Sequence, residues 1–368
     1  MENSISIIIP TYKEAQNLPD LIESIDSVMR STTRVYEVLI VDDDSRDGSD
    51  KIIADFSARG YPVRMILRAN ERGLSSAVVR GFLEAKGDVL ICMDADLSHP
   101  PEALPRLIQA IESPGVDFGI ASRYITGGGT DEKWGFFRWL NSKGATLLAR
   151  PLTKVKDPMS GFFGLLKSTF NRRDPLNPIG YKIGLELLIK CRCKNIREIP
   201  IHFTDRRFGQ SKLNLKEQLN YLKHIKRLAD YKFGLVSRFF QFCAVGGTGM
   251  VVDLCFYSLF LFWTMPIPIA RALAIIVAMT WNFNINRRLT FSHSRYGNIF
   301  TQYLRFSSSC AAGALISWLV AMGLAKSPFF SQHLLLAAVM GIMAGTGFNF
   351  LLSFKWVFSI KGQNEKVN

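Results

Sequence analysis

No Gly-x-Gly-x-x-Gly follows the first apolar run of this sequence, and no Gly-Lys-Ser or Gly-Lys-Thr loop occurs in it. Their absence excludes the glycine-rich cradles that hold dinucleotides and nucleoside triphosphates, so a nucleotide must be gripped by other groups. The six cysteines (Cys92, Cys191, Cys193, Cys243, Cys255 and Cys310) include no Cys-x-x-Cys pair, and three fall in apolar stretches. That excludes a disulfide framework and a zinc site, and fits reduced thiols in a cytoplasmic domain. Histidine is scarce, at five; none stands in a recognisable catalytic setting, and His99 and His202 read as structural. The Ile5-Ser6-Ile7-Ile8-Ile9 run is too short for a secretory core, lacks a basic leader and ends in Pro10, so no signal peptide is expected. Acidic residues are outnumbered, 31 against 45 basic ones, for a formal charge of +14. In a soluble protein such an excess speaks for nucleic acid. Here 48% of residues are hydrophobic and the basic residues flank apolar stretches, as in membrane proteins, which carry Lys and Arg on the cytoplasmic side. No nucleic-acid partner is expected.

What is present is an alternation of strand and helix signals over residues 1–235. Strands are predicted at 4–9, 36–41, 63–67, 89–93 and 118–121, with helices at 16–29, 47–58, 75–85 and 101–112. Such alternation implies a largely parallel sheet, whose ligands bind beyond the carboxyl ends of the strands. Polar clusters fall at those ends: Thr11–Glu14 after the first strand, Asp42-Asp43-Asp44 after the second, Asp94-Ala95-Asp96 after the fourth and Ser122-Arg123-Tyr124 after the fifth. The most informative is Asp94-Ala95-Asp96. Two carboxylates one residue apart at a strand end can converge on one hard cation, Mg²⁺ or Mn²⁺, shared with substrate phosphates. A sugar-nucleotide diphosphate is such a substrate.

Ile7-Ile8-Ile9-Pro10-Thr11-Tyr12-Lys13-Glu14, Val41-Asp42-Asp43-Asp44-Ser45, Arg72-Gly73-Leu74-Ser75-Ser76 and Met93-Asp94-Ala95-Asp96-Leu97-Ser98-His99-Pro100 stand in order. They are followed by Asp157-Pro158-Met159-Ser160-Gly161-Phe162-Phe163 and Gly209-Gln210-Ser211-Lys212. This series resembles glycosyltransferase family 2, and within it the dolichyl-phosphate mannose synthases. The resemblance implies a GT-A-type, Rossmann-like, mostly parallel α/β sheet. It places Pro10, Tyr12, Glu14, Val41, Asp43, Arg72, Ala95 and Lys212 at the nucleotide sugar, Asp94 and Asp96 at the metal and diphosphate, and Arg123 near the donor phosphate. Asp94, Asp96 and Arg123 are the expected catalytic set. Some relatives carry a Gln as a further metal ligand where this chain has Ser98, which leaves more of the coordination to water. Arg138 and Ser142, four apart on the Trp134–Gly144 segment, and Arg206 are implied at the acceptor lipid phosphate. Arg206 and Lys212 flank a loop whose family counterpart closes over the phosphates. Lys182 and Glu186, also four apart, read as a surface ion pair.

Beyond this lies an amphipathic basic helix, with Lys216, Lys223, Lys226 and Arg227 beside Leu219, Leu222, Ile225 and Leu228. It reads as a headgroup-binding helix, the alternative being a helix packed on the soluble domain. Four apolar stretches follow at 239–263, 269–286, 306–325 and 334–354, each long enough to span a bilayer. Trp281-Asn282-Phe283 … Arg288-Leu289-Thr290-Phe291-Ser292 aligns with Phe348-Asn349-Phe350 … Lys355-Trp356-Val357-Phe358-Ser359, so two helical hairpins repeat each other. Arg238, Arg287, Arg288, Arg295, Arg305, Lys355 and Lys361 flank one end, which places the catalytic domain and both termini in the cytoplasm. Asp253, with Asn282, Asn284 and Asn349, either lines a polar path or sits in a plain anchor.

The expected organisation is a catalytic domain over 1–213, an interface helix and linker over 214–235, and an all-α four-helix transmembrane domain over 236–360. The expected protein is multi-pass, in the cell membrane of a prokaryote. Its expected reaction is metal-dependent, inverting transfer of mannose from GDP-mannose to a dolichyl or polyprenyl phosphate. The alternatives are a UDP-glucose or other UDP-sugar transferase of the same kind, or a sugar-lipid transporter or scaffold. A processive polysaccharide synthase is disfavoured, because no Gln-x-x-Arg-Trp occurs.

Overall fold

The computed structural model describes residues 3–130, 136–204, 215–294 and 296–359. The chain divides into two units, Met1–Lys232 and Phe233–Asn368.

Among the described residues of the first unit, a seven-stranded sheet runs in the order β3-β2-β1-β4-β7-β5-β8. Its strands are β1 (Ile5–Thr11), β2 (Tyr36–Asp42), β3 (Val63–Leu67), β4 (Val89–Cys92), β5 (Phe118–Ser122), β7 (Phe163–Leu166) and β8 (Ile196–Pro200). Two short strands, β6 (Gly129–Thr130) and β9 (His202–Phe203), pair separately. Only β7 runs antiparallel to its neighbours. Its reversal returns the chain beside β4 from the loop that carries Asp157.

The helices of this unit are α1 (Leu18–Arg30), α2 (Ser49–Ala58), α3 (Leu74–Glu84), α4 (Leu104–Glu112), α5 (Phe136–Ala149), α6 (Lys167–Asn171), α7 (Ile183–Lys190) and α8 (Leu215–Phe233). β1 and β4 are buried on both faces, as central parallel strands are. Strand alternation sorts their side chains. Ile5, Ile7, Ile9, Val89 and Ile91 pack with α1 and α4, whereas Ile8, Leu90 and Cys92 pack with α3, α7 and Phe163. α1 meets the sheet with Leu18, Leu21, Ile22, Ile25 and Met29, the spacing of one helical stripe.

α8 divides its apolar residues between two faces. Ile225 and Leu228 join Ala149, Leu152, Met159 and Leu185 in a small core, while Leu219 and Leu222 stay exposed between the exposed Lys216 and Lys223. The docked side is fixed by Tyr221 Oη donating to Ala145 O (2.6 Å), Arg227 Nη2 to Asn177 O (3.0 Å) and Lys232 Nζ to Leu152 O (2.6 Å). His224 is buried here, in a crevice it shares with Lys182. The helix therefore packs on the rest of the first unit and still presents a basic, apolar outer face.

The second unit holds α9 (Leu235–Phe262), α10 (Ile267–Ile285), α11 (Ile299–Ala325), α12 (Pro328–Ser331) and α13 (Leu334–Leu352). Four of its helical segments are long and apolar enough to cross a membrane: Leu235–Phe262, Ile267–Thr290, Ile299–Ala325 and Leu334–Val357. The third begins seven residues before the expected 306, because the helix runs on through Tyr303-Leu304-Arg305. The sequence repeat is a structural one. Each hairpin closes in a π turn, Asn286–Thr290 and Ser353–Val357, from which Phe291 N–H reaches Asn286 O and Phe358 N–H reaches Ser353 O. Ring contacts recur in pairs. Phe242–Phe350 and Phe306–Phe283 both lie at 5.7 Å, and Phe239–Phe350 at 5.3 Å matches Tyr303–Phe283 at 5.2 Å. Phe291 and Phe358 stack on each other at 4.7 Å where the two halves meet. Within the second hairpin, Gly341 and Gly345 face Ser317 and Gly313 with no room for a Cβ, so helix backbones touch.

Asp253 is paired with Arg271 at 2.6 Å across α9 and α10. Asn284 donates to Thr280 O (2.9 Å), and Asn349 bonds with Ser309. Asp253, Asn284 and Asn349 are thus engaged in bonds within the unit, whereas Asn282 Oδ1 is buried without a hydrogen bond. Arg295 and Lys361 lie outside the described residues.

Burial pushes the His224 pKa down, helped by Arg227 on its own helix and Lys190 on α7, and opposed by Glu186 on α7 and by the Lys182 main chain. Tyr181, Tyr221 and Glu217 line the same crevice. A histidine depressed in the fold takes up a proton on unfolding, so its contribution is present above about pH 6.5 and is lost as pH falls below that. The melting midpoint is expected to decline below that pH, and His224→Gln to flatten the decline, as read by thermal unfolding in detergent between acidic and neutral buffers.

Candidate active site

The carboxyl ends of β1, β2, β4 and β5 share one rim because these strands are parallel. The first two rim loops are laced together by Asp42. Its carboxylate accepts from Thr11 Oγ1 (2.8 Å), Ser45 N (2.8 Å) and Ser45 Oγ (2.6 Å), and Ser45 Oγ accepts from Lys13 N (2.8 Å). Lys13 takes φ +61° in this tie, with Asp44 at +54°. Left-handed backbone at non-glycine residues is costly and gathers at functional loops. Glu14 turns inward to Asn17 Nδ2 (2.7 Å). Tyr12, half-buried, has the exposed Arg72 guanidinium 5.4 Å from its ring. Pro10 is buried at the end of β1. Val41 is wholly buried in the core, so any contact it makes with a ligand is through its main chain.

Asp43 pins the third loop. Its Oδ2 accepts from Gly73 N (2.7 Å), and Arg68 Nη1 lies 3.0 Å from Oδ1, an ion pair whose angle falls short of a hydrogen bond. Arg68, itself buried, holds Gly73 O (3.2 Å) and Ser76 Oγ (2.7 Å). Arg68 had no signal in the sequence, because its buried charged partner, Asp43, comes from the loop after another strand.

Asp94 and Asp96 follow β4 directly. Asp96 is buried; its Oδ1 accepts from Ser98 N (3.2 Å) and Ser98 Oγ (2.5 Å), with Leu97 at φ +60°. The Asp94 side chain is 30% exposed and opens to the rim. Behind it stands Gly161, where a Cβ would lie 3.0 Å from Asp94 Oδ2 and 3.2 Å from His99 Cε1. His99 is buried against Phe162 and Phe203, at 5.3 and 5.5 Å between rings. Its Nδ1 accepts the Asp94 N–H at 3.0 Å. Burial pushes its pKa down, against the pull of Asp94 and Asp96, which keeps the ring neutral and able to accept.

Arg123, at the end of β5, is clamped by Asp157: backbone N at 3.0 Å, Nε at 2.7 Å and Nη2 at 2.8 Å. Asp157 is fully buried. Burial alone would raise its pKa, but the hydrogen bonds and charge of Arg123 outweigh that and hold it below the ordinary carboxylate range. The guanidinium also lies over Phe203 (5.2 Å) and Tyr124 (5.3 Å), and Lys143 Nζ stands 4.0 Å from the Tyr124 ring. Lys182 Nζ donates to Met159 O (2.7 Å). It is not half of a surface pair with Glu186: Glu186 is buried and bonds Lys190 at 2.8 Å. Lys182 precedes α7 with φ −114°, so helical spacing does not apply to it. Asp157, Gly161, Arg68, Lys143 and Lys182 are the site residues that sequence reasoning left unassigned. Asp157 and Gly161 stood in a recognised motif, without a partner to give them a role.

Arg138 and Ser142 lie on α5, but their side chains fall outside the described residues, as do Arg206 and Lys212 entirely. Among the described residues no group of three or more His, Cys, Asp or Glu side chains could hold a metal. The donor set is two carboxylates, one of them part-exposed. That fits a hard divalent cation completed by water and phosphate oxygens, and does not fit a closed protein cage.

The mostly parallel sheet with acidic strand-end loops and the four helices long and apolar enough to cross a membrane correspond to two known domain families. Residues 6–173 match the family model "Glycosyl transferase family 2", and residues 241–365 match "GtrA/DPMS, transmembrane domain". The dolichol-phosphate mannosyltransferase of Pyrococcus furiosus is 41% identical over 353 residues, 95% of this chain and 97% of that protein. That of Mycosarcoma maydis is 45% identical over 240 residues, 63% of this chain and 81% of its own. Among solved structures, glucosyl-3-phosphoglycerate synthase from Mycobacterium tuberculosis in complex with Mn²⁺ and uridine-diphosphate-glucose aligns at a TM-score of 0.48 and 21% identity, covering 62% of this chain and 79% of that one. The chain belongs to the dolichol-phosphate mannosyltransferase family, within glycosyl transferase family 2.

Two substitutions separate geometry from stability. Gly161→Ala pushes on the Asp94 carboxylate and is expected to lower turnover about tenfold or more, since small misplacements at reacting centres weigh heavily, with a melting midpoint near wild type. Asp157→Asn leaves Arg123 buried without its counter-charge. It is expected to destabilise by about 3–5 kcal/mol, read from denaturant or thermal unfolding.

Proposed function

We propose that this protein transfers mannose from GDP-mannose to a dolichyl or other polyprenyl phosphate, with Mg²⁺ or Mn²⁺, at the cytoplasmic face of a prokaryotic cell membrane. The observation that carries this reading is the 41% identity to the Pyrococcus furiosus dolichol-phosphate mannosyltransferase across 97% of that protein.

The catalytic domain spans residues 1–213, residues 214–235 form the interface helix, and residues 236–360 form the membrane domain. Asp94 and Asp96 are the residues that would hold the divalent cation, which when bound offsets the charge of the departing diphosphate. Tyr12, Glu14, Arg72 and Ala95 serve the nucleotide sugar, with Pro10 and Val41 contributing main chain, and Lys212 is assigned to it on the family resemblance. Asp43, held by Arg68 at Oδ1 and by Gly73 N at Oδ2, stands on the base side of the site. Arg123 serves the donor phosphates, and Arg138, Ser142 and Arg206 are assigned to the acceptor phosphate on the family resemblance.

An acceptor phosphate oxygen is already anionic near neutral pH, so attack needs no strong general base. The neutral, buried His99, whose Nδ1 is occupied by Asp94 N–H, suits that requirement. The difficulty is to bring two anions together. Arg123 and Lys143 supply fixed positive charge around Tyr124, where it stabilises the transferring state without reorganising. In-line attack on the anomeric carbon breaks its bond to the diphosphate and inverts its configuration. Arg238, Arg287, Arg288, Arg305 and Lys355 favour the cytoplasm for the ends they flank. The exposed Leu219 and Leu222 with Lys216 and Lys223 suit α8 to a headgroup layer.

The test is transfer from labelled GDP-mannose and UDP-glucose in parallel, using purified protein in detergent with a polyprenyl phosphate. Mannose-lipid of inverted configuration, abolished by EDTA and lowered at least about a hundredfold in Asp96→Ala, is expected. Transfer from UDP-glucose alone, or a retained configuration, would overturn the reading.

A further inference from the structure

Residues 177–182 join three parts of the first unit that the chain keeps far apart. On one side they meet α8: Asn177 O accepts from Arg227 Nη2 (3.0 Å), and Lys182 lines one crevice with buried His224. Gly180, at φ +64°, sits so close to α8 that an added Cβ would lie 3.2 Å from Glu217 Oε2. In the middle, Gly180 O accepts the Ser75 N–H across a long 3.4 Å bond, which reaches the loop that Asp43 and Arg68 pin to β2. At the far end, Lys182 Nζ donates to Met159 O at 2.7 Å. The segment is also anchored underneath, where Asn177 N donates to the buried Glu186 Oε1 (2.7 Å), itself bonded to Lys190.

The Met159 bond has consequences for the rim. Met159 lies between Asp157, which clamps Arg123 through three bonds, and Gly161, which backs the Asp94 carboxylate. The ends of this loop are tied down elsewhere, by Ala121 N to Phe162 O (2.9 Å), by Ser160 Oγ to Ala121 O (2.7 Å) and by Lys156 N and Asp157 N to the Glu198 carboxylate (2.9 and 3.1 Å), and Lys182 adds a hold at its middle. A charged donor to a main-chain carbonyl is a strong, geometrically demanding bond. Remove it, and the two residues that set Arg123 and Asp94 lose a shared support.

We propose that Lys182 is a positioning residue for the transfer reaction: its ammonium fixes the Asp157–Gly161 loop, and residues 177–182 carry the docking state of α8 to the catalytic rim. This rests on the glycosyl-transfer reading of the rim, though not on which sugar or base is used. Lys182 touches no reacting atom; it acts through Met159. Because α8 bears the outward basic and apolar face, the strap links what that face meets to the placement of Arg123 and Asp94.

The test compares Lys182→Met, Lys182→Arg, Arg227→Ala and the Lys182→Met/Arg227→Ala double variant, each as full-length protein in detergent, with whichever sugar donor the wild type turns over. For Lys182→Met, kcat is expected to fall roughly tenfold or more, as for a loosened reacting geometry, with donor KM within about threefold and the melting midpoint within a few degrees of wild type. Lys182→Arg, which keeps a long charged donor, is expected to recover most of the rate. Arg227→Ala should lower kcat in the same direction, and the double variant should lose less than the product of the two single losses, because residues in one chain of contacts do not act independently. A Lys182→Met enzyme with wild-type kcat overturns the proposal. So does a rate loss that matches lost folded protein and is not recovered by Arg. Independent, multiplicative losses in the double variant overturn the link to α8. Failure of the wild type to use GDP-mannose would strike the donor assignment alone, since each ratio is taken with the accepted donor.

Discussion

The pairing of Arg123 with Asp157 is the constraint on which the rim of the first unit depends. Both groups lie out of water, and a buried ion pair of this kind adds little net stability over an apolar substitute, though breaking it leaves an uncompensated charge. Its contribution is to fix place. The clamp joins the end of β5 to the loop before β7, and that same loop delivers Gly161 behind Asp94. The antiparallel β7 makes this possible, because it brings the loop's exit alongside β4 at the rim where the parallel strands end. Cationic and anionic groups that would attract or repel freely in solution are thereby held at set separations before any ligand arrives, the condition under which charge is most effective in catalysis.

Much of this architecture could be seen in the residue pattern. Strands such as Ile5–Thr11 and Val89–Cys92 are buried throughout and mostly apolar because both faces are covered, and that continuity, interrupted by helical stripes such as Leu18–Met29, identifies a parallel sheet without further help. The acidic pair after β4 was legible for the same reason: ligands of such sheets gather at strand ends. The aromatic repeat was legible as well, since Phe283 and Phe350 stand in matching words, and their ring partners obey the same correspondence.

What stayed hidden was partnership across sequence distance. Asp42, Asp43 and Asp44 look alike in a row, yet the fold gives Asp42 an internal lacing role and sets Asp43 against Arg68. Lys182 and Glu186 obeyed a helical spacing rule that had no force, because the helix starts one residue too late for Lys182. Leu219, Leu222, Ile225 and Leu228 read as one stripe, but α8 meets its own domain with only the last two. In each case local periodicity was sound and the missing information was the identity of the surface brought alongside.

The doubled hairpin of the second unit has a consequence of parity. Each hairpin sends the chain out and brings it home, so the module contributes an even number of crossings however many copies are joined. A chain with one such hairpin, or with none, would leave its first unit on the same side of a bilayer as a chain with two. Sidedness is therefore indifferent to the gain or loss of the module. The stacked Phe291 and Phe358, each the other's counterpart, mark the seam at which one copy was set against the next.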